Sequence, residues 1–287
     1  MKTIDFDVVF ISYDEPNAEE NYTNLLNDIP WAKRIHGIKG LDEVHRKVAE
    51  VADTNRIVTV DGDNIVNSNF WNLDVKEDNF SYTWQGRNLI NGLVYGNGGV
   101  KLWKKEFLKN MNHHKDGVDF CWDENYKHLQ GVYSTTIQNG SAYQAFRAGF
   151  REGVKLSLDR GKRTTPENIS SDNLRRLEIW CSIGADVPYG KEAIFGARLG
   201  CSYVMLDNDF DLLNVNDYCY IKDIWKNHKD LIDDEEYDCL RKRLIEKIGI
   251  NVVEFNEKQS KFFKEVLIKT PLGDSLPDYY YGKYMIL

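Results

Sequence analysis

Residues 56–66 read Arg-Ile-Val-Thr-Val-Asp-Gly-Asp-Asn-Ile-Val, which sets two carboxylates, Asp61 and Asp63, two positions apart at the end of a β-branched run. A buried strand ends in concentrated negative charge only where a cation or water receives it. One reading makes the pair the floor of a site for a hard divalent cation, Mn2+ or Mg2+, which takes oxygen ligands and keeps positions open for phosphate. Such an ion offsets the charge that develops on a diphosphate leaving group. The other reading is an ordinary Asp-Gly turn, with Gly62 supplying the bend. A calcium loop fits poorly, because Ile65 and Val66 stand where an oxygen ligand and the turn glycine belong. The run Asp207-Asn-Asp-Phe-Asp211 fails the same test at Leu212 and reads as a solvated loop.

The elements that must position Asp61 and Asp63 are legible from periodicity. Residues 6–13 form a strand candidate closed by Asp14-Glu15-Pro16, and residues 17–26 suit a short helix. Residues 32–40 read as a second strand running into a glycine-flanked loop. Leu41, Val44, Val48 and Val51 recur at helical spacing and give a helix with one buried stripe. A third strand follows at 57–60. Strand, helix, strand, helix, strand predicts α/β layering with a mostly parallel sheet, in which ligands bind beyond the carboxyl ends of the strands. Asp14-Glu15, the segment His36 to Lys39, and Asp61 to Asp63 all fall at such ends.

Farther along, residues 91–100 carry four glycines, and residues 101–111 and 143–157 read as helices. Residues 159–172 have loop composition, and 173–197 read as helical in parts with a break at Val187-Pro188-Tyr189-Gly190. Beyond about residue 207 the chain turns to charged helices, so the expected division is a main domain at 1–209 and a mainly helical extension or lobe at 210–287.

Bulk properties narrow the class. A chain of 287 residues can bury a substantial core, and 42% apolar with 29% charged residues is a globular composition. The formal charge of −8 disfavours a surface that grips nucleic acid all over, though not a local basic groove. Five cysteines at irregular spacing, Cys121, Cys181, Cys201, Cys219 and Cys239, read as reduced thiols of a cytoplasmic protein. No apolar run approaches the length of a membrane span, so no membrane insertion is expected. Gly96-Asn-Gly-Gly99 lacks the Lys-Ser/Thr of a phosphate-binding loop.

The order of elements over residues 5–105, with Asp61-Gly62-Asp63 behind a strand and helix, resembles the GT-A fold of nucleotide-sugar glycosyltransferases and their DxD motif. Together with INGLVYGNGGVKLW and GKEAIFGARLG it is similar to glycosyltransferases of tailed bacteriophages, some of which decorate hydroxymethylated bases of their own DNA. The resemblance implies a GT-A-like, Rossmann-type catalytic domain, a nucleoside-diphosphate sugar as donor with a UDP-sugar favoured, and an acceptor hydroxyl such as that of 5-hydroxymethylcytosine in double-stranded DNA. It places the nucleoside at Ser12, Tyr13 and Asp14, and the segment that closes over the phosphates at Lys33-Arg34 and His36 to Lys39. Tyr13 can stack on a base, and Arg34 or Lys39 can neutralise phosphate oxygens. A third metal ligand, often a histidine in this fold, is left unassigned, because none of the six histidines lies in a matching motif.

An inverting transfer needs a carboxylate base near the acceptor proton, for which the candidates are Asp186 and Glu192. If neither lies beside the sugar, a retaining course is favoured. Arg147, Arg151 and Lys155 recur at four-residue steps and can present one basic helix face to phosphates, continued by Arg160, Lys162 and Arg163. Trp84, Trp122 and Trp180 suit either sugar stacking or a core. The competing functions are transfer to a protein or glycan, sugar nucleotidyl transfer, and non-catalytic binding. Nucleotidyl transfer calls for a glycine- and basic-rich loop near the first strand, which Ile11-Ser-Tyr-Asp-Glu-Pro16 does not supply.

Overall fold

The computed structural model describes residues 1–95, 98–112, 126–232 and 234–269. The His113-His114 pair, Cys121, Trp122 and the C-terminal tyrosines lie outside these described residues. By packing, the chain forms two compact units: residues 1–88 with 94–137, and residues 89–93 with 138–287. The compositional shift near residue 209 falls inside the second unit.

The first unit begins with β1 (Asp7–Ser12), α1 (Ala18–Asp28), β2 (Lys33–His36), α2 (Leu41–Val51) and β3 (Arg56–Asp61). It continues with β4 (Asn64–Val66), β5 (Ser81–Asn88), β6 (Val94–Tyr95), β7 (Val100–Lys104), the short α3 (Lys105–Lys109) and β8 (Tyr126–Thr136). The eight strands make one sheet in the order β2-β1-β3-β7-β5-β8-β4, with β6 beside β5. Period-2 alternation sorts its side chains. Val8, Phe10, Val58 and Val60 join Ala18 and Leu25 of α1 on one face. Val9, Ile57 and Trp103 join Val44, Val48 and Ala49 of α2, with Leu108 of α3, on the other.

The α/β layering matches the expectation, but the sheet is mixed rather than mostly parallel. β1 runs parallel to β2 and β3, and β5 to β8, while the β3–β7, β5–β7, β4–β8 and β5–β6 pairs are antiparallel. Parallel neighbours need a long crossover, usually a helix. The chain supplies one after β1 and again after β2, and none between β3 and β7. Residues 101–104 are likewise strand where a helix was expected. Lys101 pairs with both Thr59 and Thr83, and the central position of β7 in the sheet overrides local helical preference.

The second unit holds α4 (Ala142–Leu156), a hairpin of β9 (Leu158–Asp159) and β10 (Lys162–Arg163), α5 (Ser171–Trp180) and α6 (Gly190–Leu206). α7 (Tyr218–His228), α8 (Asp234–Arg243) and α9 (Glu257–Lys269) follow and form the helical C-terminal part. Helices α4 and α6 meet backbone to backbone. A Cβ on Gly149 would stand 1.9 Å from the Ala193 carbonyl oxygen, and one on Gly196 would stand 2.3 Å from that of Phe146. Gly153 and Gly200, one turn on, make the same approach. The glycines of GKEAIFGARLG that follow Phe195 and Leu199 therefore serve helix packing. Among the described residues no helix is long and apolar enough to cross a membrane.

Gly149→Ala must push the two helices apart or displace a backbone carbonyl. It is expected to lower the unfolding free energy by roughly 1–3 kcal/mol, seen in urea titration as a lower midpoint at unchanged slope.

Candidate functional site

The carboxyl ends of β1, β2 and β3 lie side by side in the first unit. Ser12 is registered against His36, and Ile11 against both Ile35 and Asp61. The buried Ser12 hydroxyl accepts from Arg34 Nε at 3.0 Å and lies 2.9 Å from His36 Nδ1. Arg34 Nη2, which can only donate, lies 3.4 Å from the same Nδ1, so Nδ1 accepts and the Nε2 edge of the exposed imidazole is left as the outward donor. The Arg34 guanidinium packs over the Tyr22 ring at 5.2 Å and holds Glu19 through Nη1 at 2.8 Å and Nη2 at 2.7 Å. Hydrogen bonding and charge from Arg34 hold the Glu19 carboxyl below the usual range. Tyr13 is 37% exposed, and Asp14 and Lys39 are also at the surface.

Lys33 belongs to a different place. Its ammonium serves Asp7 at 3.0 Å and Asp53 at 3.1 Å, beside the opposite end of β1.

The Asp-Gly-Asp segment is pinned along its backbone. Asp61 N–H donates to Gly99 O at 2.8 Å, Gly62 O accepts from the buried Asn21 amide at 2.9 Å, and Asp63 O accepts from Ile137 N–H at 2.6 Å. A Cβ at Gly62 would come within 2.9 Å of Glu15 Oε2 and 3.0 Å of Ile11 O, so a side chain between the two aspartates would have to displace its neighbours. The turn is real, yet it is no hairpin, because β3 continues the sheet beside β1 and β7 whereas β4 pairs with β8.

The cation that receives the charge of Asp61 is Lys101. Its Nζ donates to Asp61 Oδ2 at 3.0 Å, with side-chain exposures of 8% for the lysine and 41% for the aspartate. Lys101, Thr59 and Asp61 share the α2 face, where Trp103 Nε1 donates to Thr59 Oγ1 at 3.0 Å. The edge of His45 meets the Trp103 ring there. His45, fully buried, is pushed down to about 4 by desolvation, against the opposing pull of its Leu41 carbonyl bond and of Asp61.

Among the described residues no group of three or more His, Cys, Asp or Glu side chains comes together to hold a metal ion. Asp63 Oδ1 accepts from Asn64 Nδ2 at 2.6 Å. A divalent ion on Asp61 would face the Lys101 ammonium, and like unit charges 4 Å apart cost about 4 kcal/mol even at an effective dielectric constant near 20. The residues present therefore do not fit a divalent site at Asp61.

In the second unit, Asp186 is ion-paired with Lys264 of α9 at 2.5 Å, and each side chain is 12% exposed. Glu192 lines a cavity of about 620 Å³ with Tyr189, Lys191, Tyr237, Arg241 and Glu254. Tyr189 caps α6 in the left-handed region at φ 58° and is 43% exposed. Arg147 is buried, with its guanidinium 4.4 Å from the Tyr218 ring, and Arg151 donates to the Tyr218 hydroxyl at 3.1 Å. Arg163 donates to the carbonyls of Val204 and Phe210. These three guanidiniums tie helices and turns together, while Lys155 stays half-buried and Arg160 and Lys162 exposed. Trp84 and Trp180 are core. Asp207 and Asp211 accept backbone N–H bonds two residues on, closing local turns. Of the cysteines, Cys181 and Cys201 are buried free thiols, and burial pushes Cys201 up to about 12.

Lys101 and Glu19 hold candidate residues in place and are not among those the sequence pointed to. The signal for Lys101 was a lone charge in the apolar alternation Val100-Lys-Leu-Trp103; for Glu19, an acid in the first turn of α1.

No protein-family model matches the chain, and no curated protein matches its sequence. Among solved structures it bears a weak resemblance to a glycosyltransferase involved in the glycosylation of the major capsid of PBCV-1. The identity is 10% and the TM-score 0.31, over 46% of this chain and 94% of that one. An inositol-1-phosphate CTP transferase from T. maritima matches at 12% identity and TM-score 0.30, over 45% of this chain and 69% of that one. HddC from Yersinia pseudotuberculosis matches at 14% and 0.28, over 49% and 76%.

The buried, neutral His45 fixes a pH dependence. Unfolding raises its pKa from about 4 to near 6.5, so the unfolded chain takes up a proton that the folded chain refuses. Its contribution is complete above about pH 6.5 and is lost as pH falls toward 4, at about 1.4 kcal/mol per pH unit. Urea titrations between pH 4 and 7 are expected to show a fall in stability toward acid in the wild type that is shallower in His45→Leu.

Proposed function

We propose that the carboxyl ends of β1, β2 and β3 bind the nucleoside diphosphate of a sugar donor, and that the protein transfers the sugar to an acceptor hydroxyl. The observation that carries this reading is the hydrogen-bonded cluster of Ser12, Arg34 and His36 toward the carboxyl ends of β1 and β2, with the Asp61 end of β3 next to β1, where α/β sheets take their ligands. Tyr13 offers an exposed aromatic face to a base. The Nε2 edge of His36, the Arg34 guanidinium and Lys39 are the groups for phosphate oxygens, and Arg34 is already oriented by Ser12 and Glu19.

For the base that accepts the acceptor proton, Glu192 is favoured over Asp186. Glu192 faces a cavity, whereas the Asp186 carboxylate is nearly buried and already taken by the Lys264 ammonium, which leaves it less open to an acceptor hydroxyl. The acceptor proposed is 5-hydroxymethylcytosine in duplex DNA, supported by the basic side chains of Lys155, Arg160 and Lys162, with protein and glycan hydroxyls as the alternatives.

Calorimetric titration with UDP, GDP, CDP and ADP is the first test. Binding of one of them, weakened roughly tenfold or more by Arg34→Leu, is expected, and no binding of any nucleotide would remove this reading. Once a donor sugar is found, turnover on hydroxymethylated duplex, protein and glycan acceptors separates the acceptor classes. In that assay Glu192→Gln is expected to lower the rate by about 10²-fold or more, and Asp186→Asn far less.

A further inference from the structure

The surroundings of Asp61 disagree with a metal-dependent strand end, and we infer that Lys101 supplies the fixed positive charge that a divalent cation would otherwise bring, so that nucleoside diphosphate binding needs no metal. This inference rests on the reading of the β1–β3 ends as a nucleotide site.

Lys101 is not a surface lysine that happens to reach an aspartate. Its backbone is registered between Thr59 of β3 and Thr83 of β5, so the residue sits in the middle of the sheet with a strand on each side. Lys101 as a whole is 6% exposed, and its ammonium ends 3.0 Å from the Asp61 carboxylate, two residues beyond Thr59 on the same face. Ammonium below and carboxylate at the mouth make a neutral polar floor. Without Lys101, Asp61 and Asp63 would present two negative charges to an anionic diphosphate, and a dication would be needed to offset them. With Lys101 in place one of these charges is cancelled from inside the sheet, and Arg34, His36 and Lys39 face the phosphates from β2 and its following loop. His45, neutral and buried on the same face, adds no competing charge. Lys101 acts through Asp61 and is a positioning residue; no contact with the phosphates is required of it.

The test is calorimetric titration of UDP, GDP, CDP and ADP into the wild type, Lys101→Met and Lys101→Arg, each in EDTA and in Mn2+. For the wild type the same affinity within about twofold is expected in both media. Lys101→Met should bind roughly tenfold more weakly in EDTA and regain affinity in Mn2+, because the bared carboxylates then take the ion. This acquired metal dependence is a change that a merely structural lysine would not produce. Lys101→Arg should keep its affinity in EDTA within about threefold. A wild type that binds only with Mn2+ overturns the role of Lys101 and leaves the nucleotide site standing. So does a folded Lys101→Met that binds normally in EDTA, or one whose loss Mn2+ does not restore. No nucleotide binding by any protein in either medium overturns the nucleotide reading itself. Should Lys101→Met fail to fold by circular dichroism, the wild-type comparison and Lys101→Arg decide.

Discussion

The ion pair between Asp61 and Lys101 answers the constraint that the first unit must satisfy: a strand buried on both faces that ends in negative charge needs a cation or water to receive it, and here a cation stands beside it. The cation comes from β7, on the far side of β3 from β1, and this ties the antiparallel half of the sheet to its parallel half. The α2 face near the pair follows from the same arrangement. Thr59 and Trp103 hydrogen-bond across the β3–β7 pair, and His45 is kept neutral against them. Beside the Asp61 end of β3, Ser12, Arg34 and His36 hydrogen-bond to one another toward the ends of β1 and β2.

The second unit is organised by shape. Four glycines let α4 and α6 touch along their backbones, at a distance any side chain would prevent. Around that contact the cations are used for support. Arg198 is fully buried and donates to the carbonyls of Cys181 and Tyr237 and to Glu254, which joins α6 to segments distant in sequence. Arg147 and Arg151 brace α4 on Tyr218 of α7. A helical row of basic residues can thus serve packing while looking, in sequence, like a phosphate-binding face. Planar guanidinium groups suit this use because they stack on aromatic rings and still donate at their edges.

Sequence by itself determined the first five elements. β1, α1, β2, α2 and β3 follow from alternation of period two, a helical stripe at three-to-four spacing, and punctuation by proline and glycine, all of which are local signals. On these local signals alone, Asp14-Glu15, His36 to Lys39 and Asp61 to Asp63 fall at strand ends. Tertiary structure alone decided the rest. The direction of β7, and with it the conversion of residues 101–104 from helix to strand, depends on pairing with β3 and β5, which lie distant in the chain. The partner of Asp61 is 40 residues away, at a spacing that encodes nothing. The fates of Arg147, Asp186 and Glu192 turn on what packs against them. Charge and hydrogen bonding are satisfied in space, and only hydrophobic periodicity is written along the chain.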